Sequence, residues 1–444
     1  MALVERISGL ALDMNTSLIN FIILKGKALP RLGKLDGKRV SEEDTMKIET
    51  IRVQNFKALQ DIEVKNIPDL SINVGANGSG KSTFFDVFGF LKDCLTFNVT
   101  RAMQSRGGYS ELVSRGRAGE DIVLEIQYRM QITGKERLVT YRLELGVDEK
   151  GKPCVKREIL RYKRGASGSP FHFLDFRMGQ GYAISNEEDF DKTDEELNRD
   201  NQVLERADIL AVKGLGQFQR FKAANAFRQL IEGWHVSDFH IEMARGSKDA
   251  AAYADHLSVT GDNLQVVAKN LYDNYPEIFA IILDKMKRRV PGIGDIIPEP
   301  TLDGKLLLKF KDGSFKDPFI DRYVSDGTIK MFTYLVLLYD PEPHPLLCIE
   351  EPENQLYPKL LWELVEEFRD YARRGEGGQV FISTHSPDLL NAARLEEVFW
   401  LVKVDGYTQI RRAKDDPQIA AYMAEGDQLG YLWKEGFFKG ADPV

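Results

Sequence analysis

Residues 46–56 (MKIETIRVQNF) alternate apolar and polar positions, the period of a strand buried on one face. Short apolar segments at 62–64 and 70–74 continue as strands, and the second runs into a glycine-rich turn. From Ser82 to Asp93 the period lengthens, with Phe84, Phe85, Val87 and Phe88 on the buried side of a helix. Segments 122–130 and 138–145 predict an antiparallel hairpin turning at Thr133-Gly134, and 155–162 a further strand. Residues 165–206 are rich in Gly, Ser and acids with weak periodicity, and the charged stretch 187–200 reads as a surface excursion. Order returns with a helix at 221–231, a strand at 235–241 and one or two helices across 263–289. Strands at 306–310 and 315–320 flank Asp312-Gly313, a hairpin signal. An apolar helix at 328–338 precedes a fully apolar strand at 346–349. An amphipathic helix at 358–374 starts on proline and ends near Gly375, and 380–383 is another buried strand. Strands at 398–402 and 408–411 close the pattern.

Apolar strands alternating with helices predict an α/β core. Residues 1–45 carry a Gly/Lys/Arg/Pro mixture without period, and read as a loosely ordered extension or an upstream start; a partner-binding arm is the other reading. The chain has 444 residues, a prior of roughly three domains. With 43% hydrophobic and 29% charged residues it is a folding chain rather than a disordered one. Cys94, Cys154 and Cys348 form neither a zinc spacing nor a disulfide framework, which fits a reducing cytoplasm, the expected location. Net charge is −8, so any nucleic-acid contact has to come from a local basic patch. The apolar run at 18–24 is shorter than the ~20 residues a membrane span needs, so no membrane partner is expected. It also lacks the flanks of a secretory signal.

Four short segments carry chemistry. Gly75-Ala76-Asn77-Gly78-Ser79-Gly80-Lys81-Ser82 has the Walker A pattern, after an apolar strand and at a helix start. Its glycines let backbone N–H groups wrap phosphates, and the helix start adds positive charge. Lys81 is placed for the β- and γ-phosphates, and Ser82 offers a hydroxyl to Mg²⁺. The strand Leu346-Leu347-Cys348-Ile349 ends in Glu350-Glu351, a Walker B element. Glu350 would hold Mg²⁺, and Glu351 would orient and deprotonate the attacking water; a solvated acidic turn is the plainer reading of the pair taken alone. His385, in Ser383-Thr384-His385-Ser386 after a buried strand, points to the crevice where α/β sheets bind ligands, and could contact the γ-phosphate; a structural histidine is the alternative. Val324-Ser325-Asp326-Gly327-Thr328 opens the apolar helix, either as an ordinary N-cap or as an anion site for a phosphate held by another subunit.

These motifs, in this order, resemble ABC-type ATPases of the SMC/RecF/OLD group. The runs Ser325-Asp326-Gly327-Thr328, Ile349-Glu350-Glu351-Pro352-Glu353-Asn354 and Ser383-Thr384-His385-Ser386-Pro387-Asp388 are similar to those of standalone OLD-like "AAA family" ATPases of bacteria. Asn55-Phe56-Lys57 resembles the N-F-R/K turn of RecF and SMC heads. The resemblance is specific over 46–145 and 320–413. It implies an ABC-type P-loop ATPase head, with a mixed sheet core plus an antiparallel β subdomain, and an inserted α+β module. On that reading 46–145 and 301–413 are the two halves of the core, 146–300 the insertion, 1–45 the extension and 414–444 a tail.

The resemblance further implies a homodimer, or higher even oligomer, closed by ATP and Mg²⁺ held between two heads. Ser325 and Gly327 of one head would meet the γ-phosphate held by Lys81 of the other. Asn354 falls at the D-loop position near the seam, His385 at the H-loop switch, and Lys57 would approach the phosphates. Gln104 and Gln127 are both candidates for the Q-loop glutamine. Asp326, Thr328 and Glu350 depart from the transporter pattern and fit the OLD-like group. The chain lacks coiled-coil heptads, and about 30 residues after Ala413 fall short of a typical Toprim domain. The expectation is an ATPase acting on DNA or on a separately encoded nuclease or toxin in genome defence or repair. Basic clusters at Lys156, Arg157, Arg161, Lys163 and Arg164, and at Lys285, Lys287, Arg288 and Arg289, are candidate DNA contacts or simply solvated faces. The alternative is a nucleotide-gated protein scaffold without DNA binding, using the acidic stretch 187–196 or the aromatic tail 429–440.

Overall fold

The computed structural model describes residues 47–441, apart from 133, 164–168, 188, 190–191, 238, 240, 247 and 375–376. The expected extension at 1–45, Arg164 of the first basic cluster and part of the acidic stretch lie outside the described residues.

The chain runs through β1 (Lys47–Phe56), β2 (Leu59–Lys65), β3 (Leu70–Val74) and helix α1 (Lys81–Thr96). Then come β4 (Ile122–Ile132), β5 (Lys135–Val147), β6 (Pro153–Tyr162), β7 (Phe171–Arg177), β8 (Gln180–Ile184) and β9 (Arg199–Val203). Helix α2 (Lys222–Glu232) leads to β10 (His235–Ser237) and β11 (Lys248–Asp249). Helices α3 (Leu264–Asn274) and α4 (Pro276–Arg289) precede β12 (Ile293–Pro300), β13 (Lys305–Asp312) and β14 (Phe319–Ile320). Helix α5 (Asp326–Leu338), β15 (Leu346–Glu350), α6 (Pro358–Arg373), β16 (Gln379–Thr384), β17 (Val398–Val404), β18 (Tyr407–Arg412) and α7 (Leu429–Lys434) complete it.

The strands form three sheets. An antiparallel sheet has the order β2-β1-β4-β5-β6-β7-β8-β9, and a mixed sheet the order β10-β15-β16-β3-β17-β18. In the second, β18 pairs antiparallel with β17 while the other pairings are parallel. A smaller sheet joins β11, β13, β12 and β14.

Alternation along the parallel strands divides the core. Leu346, Cys348, Phe381, Phe399 and Leu401 pack with the antiparallel sheet, α1 and α2. Their neighbours Leu347, Ile349, Val380, Ile382, Val398 and Trp400 pack with α3 to α6 on the other face. Strands buried on both faces read as continuous apolar runs, which is why 346–349 and 380–383 were legible. Phe84, Phe85, Phe88 and Phe90 of α1 are all at most 1% exposed. Each such ring contributes about 1.5–3 kcal/mol by leaving water.

Several expectations change. The sheet that begins at β1 continues through β9, so the boundary expected at 145/146 falls within β5, and β12 and β13 pair across 300/301. The weakly periodic stretch 165–206 contains β7, β8 and β9; β9 (RDNQV) is a charged edge strand, and charge on an edge blocks further pairing. The strand expected at 235–241 stops at Ser237, and Ile241–Ala244 is a helical turn. The strand expected at 315–320 is reduced to β14, which pairs only with Lys309 and Phe310 of β13 on the edge opposite β12; β11 pairs further along that same edge, at Lys305 and Leu306. Glu187, read as exposed, is buried, accepting hydrogen bonds from Tyr162 Oη (3.0 Å) and the Ala223 N–H at the start of α2. The aromatic tail, by contrast, packs back on the chain as its plainer reading has it: Leu432, Trp433 and Phe438 are buried, and Trp433 Nε1 donates to the Ala441 carbonyl at 2.7 Å.

Glu158 on β6 is fully buried. It accepts from Tyr141 Oη at 3.0 Å, Val212 N at 3.1 Å and Ala211 N. Burial pushes its carboxyl up to about 7, against the lowering effect of those bonds.

Candidate nucleotide site

The carboxyl ends of β3, β15 and β16 lie side by side, with β16 in the middle. The three loops that leave them therefore share one edge of the sheet, where α/β folds bind ligands. They carry the glycine-rich loop, the Glu350-Glu351 pair and the His385 segment.

The loop after β3 turns tightly into α1. Gly80 is the residue before the helix, at φ 105°, and Gly78 is at φ 77°. Both lie in the left-handed region that glycine tolerates. A Cβ on Gly80 would also come within 2.2 Å of Thr408 Oγ1. That hydroxyl donates to the Ser79 carbonyl at 2.8 Å, so β18 braces the loop from behind. Gly75 is closed in by the Leu401 carbonyl and Ser79 Oγ, each 2.6 Å from where its Cβ would be. Asn77 and Gly78 are exposed at the tip.

Lys81 folds back over the loop, donating to the Gly75 carbonyl at 2.6 Å and the Ala76 carbonyl at 3.2 Å. Burial lowers its pKa, while the nearby Glu351, Glu353 and Glu350 act to raise it. Ser82 Oγ donates to Glu350 Oε2 at 2.6 Å.

Glu351 has φ 43°, a strained value for a side-chain-bearing residue. Its N–H donates to the Ser383 carbonyl at 3.0 Å. Asn354 Nδ2 donates to its Oε2 at 3.1 Å, and His385 Nδ1 lies 3.2 Å from Oε1. Glu353 is buried beneath this group and accepts from Thr384 Oγ1 at 2.6 Å and His385 N at 3.0 Å. Beside the pair opens a crevice of about 880 Å³ lined by residues including Lys330, Glu350, Glu351, Asn354 and Gln355.

Of the residues singled out from the sequence, Gly75 to Ser82, Glu350, Glu351, Asn354 and His385 thus come together. Ser325 and Gly327 sit elsewhere, at the start of α5. Ser325 is exposed, and its Oγ accepts the Thr328 N–H at 3.3 Å as an N-cap. Gly327 lies under the Gln355 carbonyl, which would be 2.8 Å from a Cβ there. Among the described residues no hydrogen bond joins either to the glycine-rich loop. Lys57 is at φ 51°, and its Nζ donates to Asp86 Oδ2 at 2.6 Å, on the carboxylate that Arg106 also holds. Gln104 is exposed at the end of a short helix, and Gln127 lies in β4.

Sequence reasoning missed Thr408, Glu353 and Arg245. Arg245 holds the Val324 carbonyl at 2.6 Å and the Asp326 carboxylate. Glu353 stood within the acidic run after β15 as a visible signal; the other two gave none.

The family model described as "AAA domain, putative AbiEii toxin, Type IV TA system" matches residues 74–391. No curated protein sequence matches the chain. The solved structures similar to the chain include two SMC heads. One is an SMC head bound to the C-terminal winged-helix domain of ScpA (TM-score 0.48, 14% identity, 82% of this chain and 97% of that one). The other is the SMC head domain from Thermotoga maritima (TM-score 0.40, 12% identity, 82% of this chain and 98% of that one). Among the described residues no helix is long and apolar enough to cross a membrane. With the family model running from the end of β3 past the His385 loop, the chain belongs to the AAA_21 family of AAA domains, and its fold is a mixed α/β sheet core beside an antiparallel sheet.

Proposed function

We propose that the chain hydrolyses ATP, with Glu351 as the general base and a second copy completing each site. The observation that carries this reading is the setting of Glu351: one carboxylate, hydrogen-bonded by Asn354 and with His385 Nδ1 3.2 Å from its other oxygen, at the mouth of a loop built for phosphates. A base must be oriented before it can take a proton from water, and here Asn354 fixes one oxygen while His385 flanks the other.

ATP and Mg²⁺ fit these residues. Ser79 Oγ is buried inside the loop without a hydrogen-bond partner, and Ser82 and Glu350 offer the hard oxygen donors that Mg²⁺ takes. Ser82 and Glu350 would hold the ion, which supplies charge neutralisation on the phosphates. Lys81 exchanges its bonds to the Gly75 and Ala76 carbonyls for phosphate oxygens. Among the described residues no hydrogen bond joins Ser325 or Gly327 to Lys81 within one chain, which supports their serving the site of a partner copy. The start of α5 offers free N–H groups for a phosphate. Lys57 reaches phosphate only after leaving Asp86.

As to what the cycle drives, control of a separately encoded nuclease or toxin fits the toxin named in the family's description. The nucleotide-gated scaffold without DNA binding is favoured over direct DNA contact by one observation: part of each basic cluster is occupied by acidic partners. Arg157 pairs with Asp175 through two bonds, and Lys285 and Arg289 both pair with the buried Glu367.

The test is Glu351→Gln. The variant should bind ATP as the unaltered chain does, hydrolyse it at least about 100-fold more slowly and accumulate an ATP-dependent dimer. Normal hydrolysis by a dilute monomer would overturn the reading.

A further inference from the structure

Three of the chain's six histidines meet at the end of β15 opposite the nucleotide crevice. Asp340 and His344 lie in the connection from α5 to β15, and His256 lies between β11 and α3. One ligand atom each from His256, Asp340 and His344 falls within 4.8 Å of the other two. We propose that these three side chains bind a divalent transition-metal ion, Zn²⁺ first among them.

The orientation of each group supports this. His344 Nδ1 lies 3.0 Å from the Gly233 carbonyl. A carbonyl only accepts, so Nδ1 carries the proton and Nε2 keeps its lone pair. Among the described residues Nε2 is buried with no hydrogen-bond partner, on a residue only 8% exposed. An orphaned buried acceptor costs about 1–3 kcal/mol, and a metal ion is one way to satisfy it. Asp340 is oriented in the same manner: Oδ1 accepts the Glu342 N–H at 2.9 Å, and Oδ2 faces His256 Nδ1 at 2.9 Å. A proton between Nδ1 and Oδ2 makes that last contact. An entering ion takes its place and releases it to solvent.

An imidazole held through its far nitrogen by a backbone carbonyl, as His344 is, beside a carboxylate held by a backbone N–H, is the outer-shell pattern of metal sites. The backbone beneath is fixed as well. Tyr371 Oη donates to the His344 carbonyl at 2.7 Å, and a Cβ on Gly378 would come within 2.2 Å of that oxygen. Two imidazole nitrogens and one carboxylate oxygen suit Zn²⁺, with water as a fourth ligand; Mg²⁺ and Ca²⁺ prefer oxygen alone. The site would tie the segment carrying His256 to the link between α5 and β15. It lies roughly 20 Å from Glu350 at a strand's rise of about 3.3 Å per residue, so its role is to hold that link rather than to touch ATP.

The experiment uses the full chain, stripped with chelator and dialysed against ZnCl₂ without nucleotide or Mg²⁺. About one equivalent of zinc should remain after gel filtration, with a rise in melting temperature, and Co²⁺ should give the visible bands of a four-coordinate ion. His256→Ala, which alters a half-exposed side chain, should weaken zinc binding at least about tenfold. Glu350→Gln, at the far end of β15, should leave it unchanged. Retention below about a tenth of an equivalent by the unaltered chain, or zinc binding by His256→Ala as tight as before, would overturn the proposal.

Discussion

Ser82 Oγ donates to Glu350 Oε2 across 2.6 Å, joining the first turn of α1 to the end of β15 over 268 positions of sequence. The bond closes the Walker A and Walker B segments around one place, and it sets what each neighbouring residue can be tested for.

Lys81 is buried and donates to two loop carbonyls, with burial lowering its pKa. Removing it costs the loop little in the absence of nucleotide, because a buried ammonium is itself expensive. Lys81→Ala should therefore lower ATP affinity by about 2–3 kcal/mol, roughly 30- to 150-fold, while the nucleotide-free melting temperature holds or rises. Titration with a fluorescent ATP analogue and a thermal melt check the two halves.

Asn354 donates to one oxygen of Glu351, and His385 Nδ1 flanks the other at 3.2 Å. His385→Ala or Asn354→Ala should lower kcat about 10- to 100-fold with a much smaller change in KM, since orientation of the base matters in the transition state. Steady-state ATPase kinetics separate the two parameters.

The motifs were legible because each lies within one short segment: a glycine-rich turn between strand and helix, two carboxylates after an apolar run, a histidine after another. Their supports were not. Thr408 braces Ser79 across 329 positions, and Arg245 grips Asp326 across 81; nothing in either residue's own neighbourhood announces such a partner. The same holds for Glu187, which looks solvated in a charged stretch and instead caps the start of α2. β12 (IGDIIPEP) was missed because its prolines argue against a strand, yet it pairs on one side only, with β13.

Thr408→Val keeps the shape of the side chain and deletes the hydroxyl that holds the Ser79 carbonyl. It leaves a buried acceptor unpaired, at a cost of about 1–3 kcal/mol in stability. Denaturant unfolding should show that loss, accompanied by weaker ATP binding as the loop loosens.

Gly327→Ala would place a methyl group 2.8 Å from the Gln355 carbonyl, a backbone atom that cannot move cheaply. Overpacking of this kind costs about 1–3 kcal/mol. Hydrolysis should fall while ATP affinity in the monomer is unchanged, because the site Gly327 serves belongs to a partner copy. Equilibrium binding beside turnover measurements tests the split.

Glu158 has its folded pKa raised to about 7 by burial, above its unfolded value near 4.5. The folded chain holds this proton more tightly, so the group's contribution is complete below about pH 4.5 and is lost as pH rises through 7. The difference amounts to roughly 3 kcal/mol. Glu158→Gln should be destabilised, since its amide N–H₂ would face one of the two donors, Ala211 N–H or Val212 N–H, and should lose this part of the pH slope. Melting temperatures of both chains across that range make the comparison.

The most direct test of the two-head arrangement mixes two crippled chains. Lys81→Ala removes the phosphate contact of its own site, and Ser325→Arg blocks the site of its partner. Each alone should be inactive. In an equal mixture about half of the dimers pair one chain of each kind, and each of these has one intact site of two. About a quarter of the ATPase rate of the unaltered protein should return. A mixture that stays as inactive as its parents at every ratio would contradict a site shared between two copies.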